Sequence, residues 1–350
     1  MKLPWKPIAI LTTTTTILLS LLLLPACCCV RGGPAAQRVA PVTHIPPIGT
    51  EPIPTPKMAE STAPTEGQMV NVDFHLDELL FMRIHRLRGQ LIPKQPGTLN
   101  FDDKTSFVMK VDTGEVGMLT PSLDRLLNDY VFNYPNAPLT NLHVTIEGNQ
   151  LVQTGVIHKI VELPFTMWAD VSESNGKIRL HPTKISICDV NGLSLLKAVG
   201  TSLEKMLPMP KERGVTAEGN DLLLDPSLVL PGLKLELHLT GVRVRGDELL
   251  QTFDAGMHLP PLTPRHPDEK NWMYYQHGTL RMGKLLMVDA DMQVTDTDPS
   301  DPLDFFIDRY NDELVEGFTR NQSNYGLLVF MRDFNDVGGP TRPGERRAPE

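Results

Sequence analysis

The stretch Val70-Asn71-Val72-Asp73-Phe74-His75-Leu76 alternates apolar and polar side chains. A period of two residues predicts a β-strand with one buried face. The same period recurs in three further stretches: Leu142/Val144/Ile146, Leu233/Leu235/Leu237/Leu239 and Leu280/Met282/Leu286/Val288/Ala290/Met292/Val294. The last series is long for one strand, and long alternating strands favour a strongly curved antiparallel sheet.

Turn sequences separate these apolar runs. Three of them share a charged residue, then Gly, then Asn or Asp, and they begin at Glu147-Gly148, Glu218-Gly219 and Arg245-Gly246. A fourth, Asn175-Gly176, is typical of a type I′ turn because both residue types tolerate positive φ. The sequence therefore predicts four β-hairpins.

Three amphipathic helices are predicted among the strands. The first uses Thr120 as its cap and Pro121 as its first residue, and its apolar stripe is Leu123, Leu126, Leu127, Tyr130 and Val131. The second covers residues 192–207, and the third begins near Asp301-Pro302 and carries Leu303, Phe306, Ile307, Tyr310 and Leu314. The predicted fold class is α+β, with the helices lying on an antiparallel β-sheet.

The first segment indicates export from the cytosol. Lys2 and Lys6 precede an apolar stretch from Ile8 to Leu24, as in a signal peptide. The end of the segment, Leu24-Pro25-Ala26-Cys27, resembles a bacterial lipobox, although Pro25 departs from it. We expect a lipoprotein attached through Cys27 and facing the periplasm or the exterior; an uncleaved anchor and simple secretion are the alternatives.

Proline content divides the rest of the chain. Residues 1–27 form the predicted signal peptide, and the Pro-rich residues 28–68 form a tether. The main curved-sheet domain is expected over 69–255 and a Pro-rich linker over 256–273. A strand-helix-strand extension packed on the same body follows over 274–337, and 338–350 is expected to be a disordered tail.

Composition and motifs exclude several functions. The 33 basic and 42 acidic residues give a net charge of -9 without a basic run, which argues against nucleic-acid binding. The signatures G-x-S-x-G, H-E-x-x-H, G-x-G-x-x-G and the P-loop do not occur in the sequence. We therefore expect a protein that is not an enzyme and that has no cofactor or catalytic residue, although a glycosidase with paired carboxylates remains conceivable.

A few polar residues could bind metal or react. Cys188 is the only cysteine away from the processing site, and its strand-like surroundings predict a buried, inert thiol. His75, His143 and His238 occupy the polar phase of strands, so we expect them to face solvent and to bind no metal. The aspartates between Asp289 and Asp304 leave calcium binding open, but capping of the third helix by Asp301 explains part of the cluster.

A family resemblance adds to this interpretation. It is carried by Leu163-Pro164-Phe165, by Asn175-Gly176-Lys177-Ile178-Arg179-Leu180-His181-Pro182, by Leu207-Pro208, by Leu230-Pro231-Gly232-Leu233-Lys234-Leu235 and by Thr240-Gly241-Val242-Arg243-Val244-Arg245-Gly246-Asp247. These motifs resemble a bacterial envelope family that includes the mycobacterial mannan-maturation lipid-binding proteins and is similar in fold to the tubular lipid-binding superfamily. The resemblance covers about Val70 to Phe253, and the segment from Tyr274 to Asp333 departs from it. It implies a long curved antiparallel sheet wrapped around amphipathic helices, with an apolar groove for acyl chains.

The expected function is binding or shuttling of an amphipathic membrane lipid in the cell envelope. Strand and helix phase give these candidates for the groove lining: Leu126, Tyr130, Val144, Phe165, Met167, Leu196, Leu203, Leu235 and Leu237. The methionines, Met109, Met118 and Met167 among them, suit an adaptable lining. The alternative is a non-catalytic envelope scaffold or assembly factor that binds a protein partner.

Overall fold

The protein is mostly β-structure. A computed structural model describes residues 61, 63–158, 161–194, 202–207, 209–323, 326–342 and 344–348. Strands account for 50% of the described residues and helices for 13%, and large antiparallel sheets dominate. The predicted signal peptide, Cys27 and most of the predicted tether lie outside the described residues.

Within the described part of the chain the largest sheet, called the large sheet, has eleven strands. They are β1 (Thr65–His75), β2 (Phe81–Pro93), β4 (Phe107–Leu119), β12 (Leu235–Glu236), β13 (Leu239–Arg245), β14 (Glu248–Asp254), β15 (Trp272–Gln276), β18 (Asp291–Asp296), β19 (Leu303–Phe306), β20 (Phe318–Asn321) and β21 (Leu327–Met331). The order is β13-β14-β4-β2-β1-β15-β18-β21-β20, with β12 beside β4 and β19 beside β1. The strands of the predicted main domain and of the predicted extension thus share one sheet.

The second sheet has seven strands and the small sheet has three. The second sheet contains β5 (Leu139–Glu147), β6 (Gln150–His158), β7 (Glu162–Ser174), β8 (Lys177–Ile187), β9 (Val190–Asn191), β10 (Val215–Glu218) and β11 (Asp221–Leu224). The small sheet contains β3 (Leu99–Asn100), β16 (Leu280–Met282) and β17 (Leu285–Met287). Strands β5 to β8 pair with their chain neighbours as an antiparallel meander.

The helices are short. Among the described residues they are α1 (Thr120–Arg125), a π-helix (Leu126–Val131), α2 (Leu203–Met206), α3 (Pro226–Val229), α4 (Tyr310–Glu316), two 3₁₀ turns (Lys211–Arg213 and Phe334–Asp336) and a helical stretch at residues 192–194. Within the described residues, no helix is both long enough and apolar enough to span a bilayer.

All four predicted hairpins are confirmed. The two-residue turns join β5 to β6, β7 to β8, β10 to β11 and β13 to β14. Asn175 and Gly176 both have positive φ, 53° and 76°, as the type I′ turn requires.

The first helix forms where it is predicted, but its cap differs. Leu119 is the N-cap residue, and no side chain caps the helix. Thr120 is instead the first helical residue, so its predicted capping role is wrong. The predicted stripe is buried at Leu123, Leu126, Leu127 and Val131, and it continues through the π-helix.

The third helix begins later than predicted. Leu303–Phe306 is strand β19, which runs parallel to β1 in the register Val72↔Leu303, and α4 starts only at Tyr310. Of the second predicted helix, residues 192–194 and Leu203–Met206 are helical, and residues 195–201 lie outside the described part.

The single long strand predicted over residues 280–294 is wrong. Gly283, with φ of 55°, turns the chain between β16 and β17, and β18 starts separately at Asp291. β16 and β17 form a hairpin on the small sheet, whereas β18 belongs to the large sheet. The alternating apolar residues of this stretch therefore belong to two different sheets.

Two polar residues differ from their predicted environments. His75 is buried, because β19 covers its end of β1 and its ring lies against Phe81, Phe306 and Phe334. Cys188 is an exposed free thiol, because it follows the end of β8 in a turn with φ of 48°.

His143 and His238 are exposed, as predicted.

Side chains fix the connection between β14 and β15, where the linker 256–273 is predicted. Both oxygens of the buried Asp112 accept hydrogen bonds from the backbone N–H groups of Met257, His258 and Leu259.

The predicted tail also makes contacts: Glu345 pairs with Arg332, and Arg346 pairs with Glu269. These contacts attach both segments to the large sheet.

Candidate functional site

A narrow apolar cavity lies between the large sheet and the second sheet. This first cavity has a volume of about 60 Å³. Its lining is Phe74, Met82, Ile84, Leu87, Met109, Val111, Val116, Met118, Leu123, Leu126, Ile178, Leu224, Pro226, Val229, Leu230, Leu235, Leu237, Leu249, Gln251 and Phe253. Gln251 is the only polar side chain among these residues, so the cavity offers a ligand almost nothing but apolar surface.

A second cavity of about 40 Å³ adjoins the first. Five residues line both cavities: Leu123, Leu126, Ile178, Leu224 and Leu249. The second cavity extends towards β5, β6 and β7 through Val144, Leu151 and Met167, and Gln153 is the only polar residue among the described residues that line it. Together the cavities form an apolar space between the two sheets, with the end of α1 and the start of the π-helix at their junction.

Flexible side chains make up part of this lining. Met82, Met109 and Met118 line the first cavity, and Met167 lines the second. Methionine is unbranched and polarizable, so it adjusts its shape to irregular apolar contents. The walls of this space can therefore change shape more easily than walls of β-branched residues could.

Five predicted lining residues lie at the cavities. Leu126 lines both, Leu235 and Leu237 line the first, and Val144 and Met167 line the second. For these five residues, the phase of the strand or helix predicts that the side chain points towards the cavities.

Three other candidates lie elsewhere among the described residues. Phe165 and Leu203 are buried in the core without lining either cavity. The hydroxyl of Tyr130 donates a hydrogen bond to Asp77, and burial together with this bond raises the pKa of Tyr130 to about 12. Leu196 lies outside the described residues.

The alternating sequence pattern does not predict several of the residues that line the cavities. Ile84 and Leu87 on β2 face the first cavity although they are three positions apart. A register shift between Ile84 and Arg86 explains this, because the irregularity moves the next apolar residue onto the same face. Only the pairing of β2 with β4 reveals the shift.

A separate, larger depression lies on the surface and is called the outer groove. It has a volume of about 810 Å³ and lies between the β16–β17 hairpin, α4 and strands β18, β20 and β21. Leu285 and Val315 line it and are 38% and 83% exposed. It is an apolar feature distinct from the two interior cavities.

Part of the predicted aspartate cluster is buried: Asp296 and Asp298 are inside, whereas Asp289 and Asp301 are exposed. Carboxylate oxygens of Asp296, Asp301 and Asp333 lie within 4.8 Å of one another. Burial raises the pKa values of Asp296 and Asp333, and repulsion from the neighbouring carboxylates acts in the same direction. Protonation of these groups removes the charge repulsion without a cation.

Backbone donors hold the same cluster. The N–H of Asp298 donates to Asp296 at 2.7 Å, and the N–H of Asp304 donates to Asp333 at 2.8 Å. The predicted helix-capping role of Asp301 is wrong, because a strand follows it.

Comparisons with known proteins add no relative. No protein-family model, curated protein or solved structure matches the chain.

Proposed function

We propose that the protein binds the acyl chains of an amphipathic lipid between the large sheet and the second sheet and carries the lipid without covalent chemistry. The observation that supports this best is the pair of adjoining cavities whose lining contains a single polar side chain in each. Transfer of an acyl chain from water into such surroundings is favourable by about 0.8 kcal/mol for each buried methylene. A chain that enters both cavities would gain this free energy for each methylene that they enclose.

The cavities must widen to accept a chain. Their volumes, about 60 and 40 Å³, are smaller than the roughly 150 Å³ of an engineered apolar cavity that binds benzene. Movement of the methionine side chains and of α3, which contributes Pro226 and Val229 to the wall, would supply the additional space. In this proposal the protein has a nearly closed form without lipid and a wider form with lipid.

The anchoring of the protein belongs to the same proposal. A lipoprotein attached through Cys27, with a Pro-rich tether, would hold the lipid-binding body close to a membrane and raise its effective concentration there. The resemblance to the mannan-maturation proteins implies the same location and a curved sheet wrapped around helices. Leu123 and Leu126, on α1 and the π-helix, are part of the helical contribution to the cavity walls.

Uptake of a phospholipid with a fluorescent acyl chain from donor vesicles tests the proposal. Leu126→Trp fills the junction of the two cavities and is expected to reduce uptake at least about tenfold, because bulk placed there removes space from both. Val190→Trp adds the same ring on exposed β9 and serves as the control. Equal uptake by Leu126→Trp and Val190→Trp, both folded, would contradict the proposal. If Leu126→Trp does not fold, Ile178→Phe takes its place, because Ile178 also lines both cavities.

The outer groove favours a second candidate function, binding of a protein partner. Its exposed Leu285 and Val315 form an apolar surface of a kind that marks protein interaction sites. A photocrosslinker placed at position 315 is expected to capture one defined envelope protein, whereas one at the exposed Leu79 is not. Identical capture from both positions would argue against this function.

A further inference from the structure

A polar pocket lies next to the second cavity and is called the asparagine pocket. Its lining includes Phe132, Tyr134, Asn136, Leu139, Asn141 and His158, and it has a volume of about 650 Å³. It lies where the π-helix ends and β5 begins. Pockets of roughly 300–1,000 Å³ are typical of sites for small molecules.

Two side chains separate the pocket from the apolar interior. Phe132 and Leu139 line both the asparagine pocket and the second cavity, and both are buried. A ligand with its chain in the second cavity would therefore place a polar end in the pocket once these two side chains move. This order of surfaces, apolar inside and polar outside, matches an amphipathic lipid.

The pocket has a polar lining, and two charged side chains that are not part of this lining contact it: Arg213 lies over the ring of Tyr134, and Glu162 lies 3.7 Å from His158. Among the described residues that line it there is no Lys, Arg, Asp or Glu, and four are asparagines.

Asn128 is already bonded to the backbone through both amide atoms, and Asn133 donates to the carbonyl of Asp129. The exposed amides of Asn136 and Asn141 can both donate and accept, which suits hydroxyl groups. A phosphate group would instead favour arginine or lysine partners.

One residue of the lining has an unused hydrogen-bonding group. The hydroxyl of Tyr134 is buried and has no hydrogen-bond partner among the described residues. A buried hydroxyl without a partner is destabilising, so a ligand hydroxyl that reaches it would gain a hydrogen bond. Asn136 and Asn141 are exposed, and their positive φ values of 61° and 52° turn the backbone at the rim.

We propose that the asparagine pocket binds the uncharged, hydroxyl-rich headgroup of a lipid, such as a glycosyl group, while the acyl chain of that lipid occupies the second cavity. This inference rests on the proposed lipid-binding function and assigns the class of headgroup. Phe132 and Leu139 act as the boundary between headgroup and chain.

Binding of three probes to the full chain tests the inference. Dodecyl maltoside and dodecylphosphocholine, both below their micelle concentrations, carry the same chain with different headgroups, and maltose is the headgroup alone. We expect the maltoside to bind at least about tenfold more tightly than dodecylphosphocholine, because its hydroxyl groups pair with the pocket. Maltose alone is expected to bind at least about a hundredfold more weakly than the maltoside, because it lacks the buried chain.

Two variants locate the headgroup. Tyr134→Phe removes only the unpartnered hydroxyl, so it is expected to weaken maltoside binding about fivefold without lowering the unfolding temperature of the lipid-free protein. Asn136→Gly removes an amide while keeping the positive φ, and Asn175→Gly makes the same change in the distant β7–β8 turn as the control. Binding of dodecylphosphocholine should be unchanged in all three variants.

The possible contrary results separate the two proposals. Equal affinity for both dodecyl probes, or maltoside binding that the pocket variants do not change, would overturn the headgroup assignment and leave acyl-chain binding standing. Maltose binding as tight as maltoside binding would also overturn it, because the pocket would then act as a site for free sugar. If neither dodecyl probe binds, the lipid-binding function is overturned, and this inference with it.

Discussion

The backbone N–H of Phe306 donates a hydrogen bond of 2.9 Å to Oε1 of Glu313, while Oε2 of the same carboxyl group has no partner among the described residues. The bond connects α4 to β19, and Glu313 is completely buried. Burial is the main cause that raises the pKa of Glu313 to about 9. The native protein therefore holds Glu313 in its neutral form at neutral pH.

Glu313 makes the stability depend on pH. Its pKa is 4.5 in the absence of the fold and about 9 in the native state, so between these values the native state binds one more proton than the unfolded state. The free energy of unfolding should fall by about 1.4 kcal/mol per pH unit over this window because of this group alone. Below about pH 4.5 both states are protonated and the stabilisation is fully present.

Glu313→Gln keeps the acceptor for Phe306 and removes the titration. Urea unfolding at several values between about pH 5.5 and 8.5 should show a slope that is smaller by about 1.4 kcal/mol per pH unit in this variant. Some slope should remain, because Asp296 and Asp333 also have raised pKa values. The exposed Glu236→Gln is the control, and an unchanged slope in Glu313→Gln would show that Glu313 is charged in the native state.

Asp112 holds the segment that connects β14 to β15. Its side chain is buried and accepts three backbone hydrogen bonds, the shortest being 2.7 Å from Leu259. Asp112→Ala is expected to lower the free energy of unfolding by about 2–4 kcal/mol, because all three bonds are lost. Asp268→Ala, on an exposed residue of the same segment, should change it by less than about 0.5 kcal/mol. Similar losses in both variants would contradict the assigned role of Asp112.

The elements that the sequence predicts correctly depend on local interactions. The four hairpins follow from turn residues whose backbone preferences act within a few positions, such as Asn175-Gly176. The elements predicted wrongly depend on distant partners. Leu303–Phe306 becomes a strand because β1 lies beside it, and the same pairing buries His75.

The same difference between local and distant interactions decides which residues of the candidate site the sequence predicts. The phase of a helix or strand places Leu126, Val144 and Met167 at the cavities, because it determines which way a side chain points. It does not give the register shift in β2 that brings Ile84 and Leu87 to one face. The asparagine pocket joins residues of the π-helix end with His158 of β6, a contact that only the three-dimensional fold creates.

The turn between β7 and β8 provides a direct test of backbone strain. Gly176 has φ of 76°, and a Cβ atom added there would meet no atom within 4 Å. Gly176→Ala should therefore destabilise the protein by about 1 kcal/mol through the left-handed backbone alone. Gly67→Ala is the control, because Gly67 lacks positive φ and an added Cβ would make only an ordinary contact with Tyr275 at 3.5 Å. Equal unfolding midpoints for the two variants would show that the turn is not a type I′ turn.

Native mass spectrometry of the full chain after incubation with phospholipid vesicles tests acyl-chain binding most directly. We predict about one bound phospholipid per chain in the wild-type protein and in Val190→Trp, and a lipid-free mass for a folded Leu126→Trp, in which the junction of the two cavities is filled. The apolar stretch from Ile8 to Leu24 is common to all three chains, so lipid held there would appear equally in each. Equal lipid in all three proteins, or a lipid-free wild-type protein, would contradict binding between the sheets.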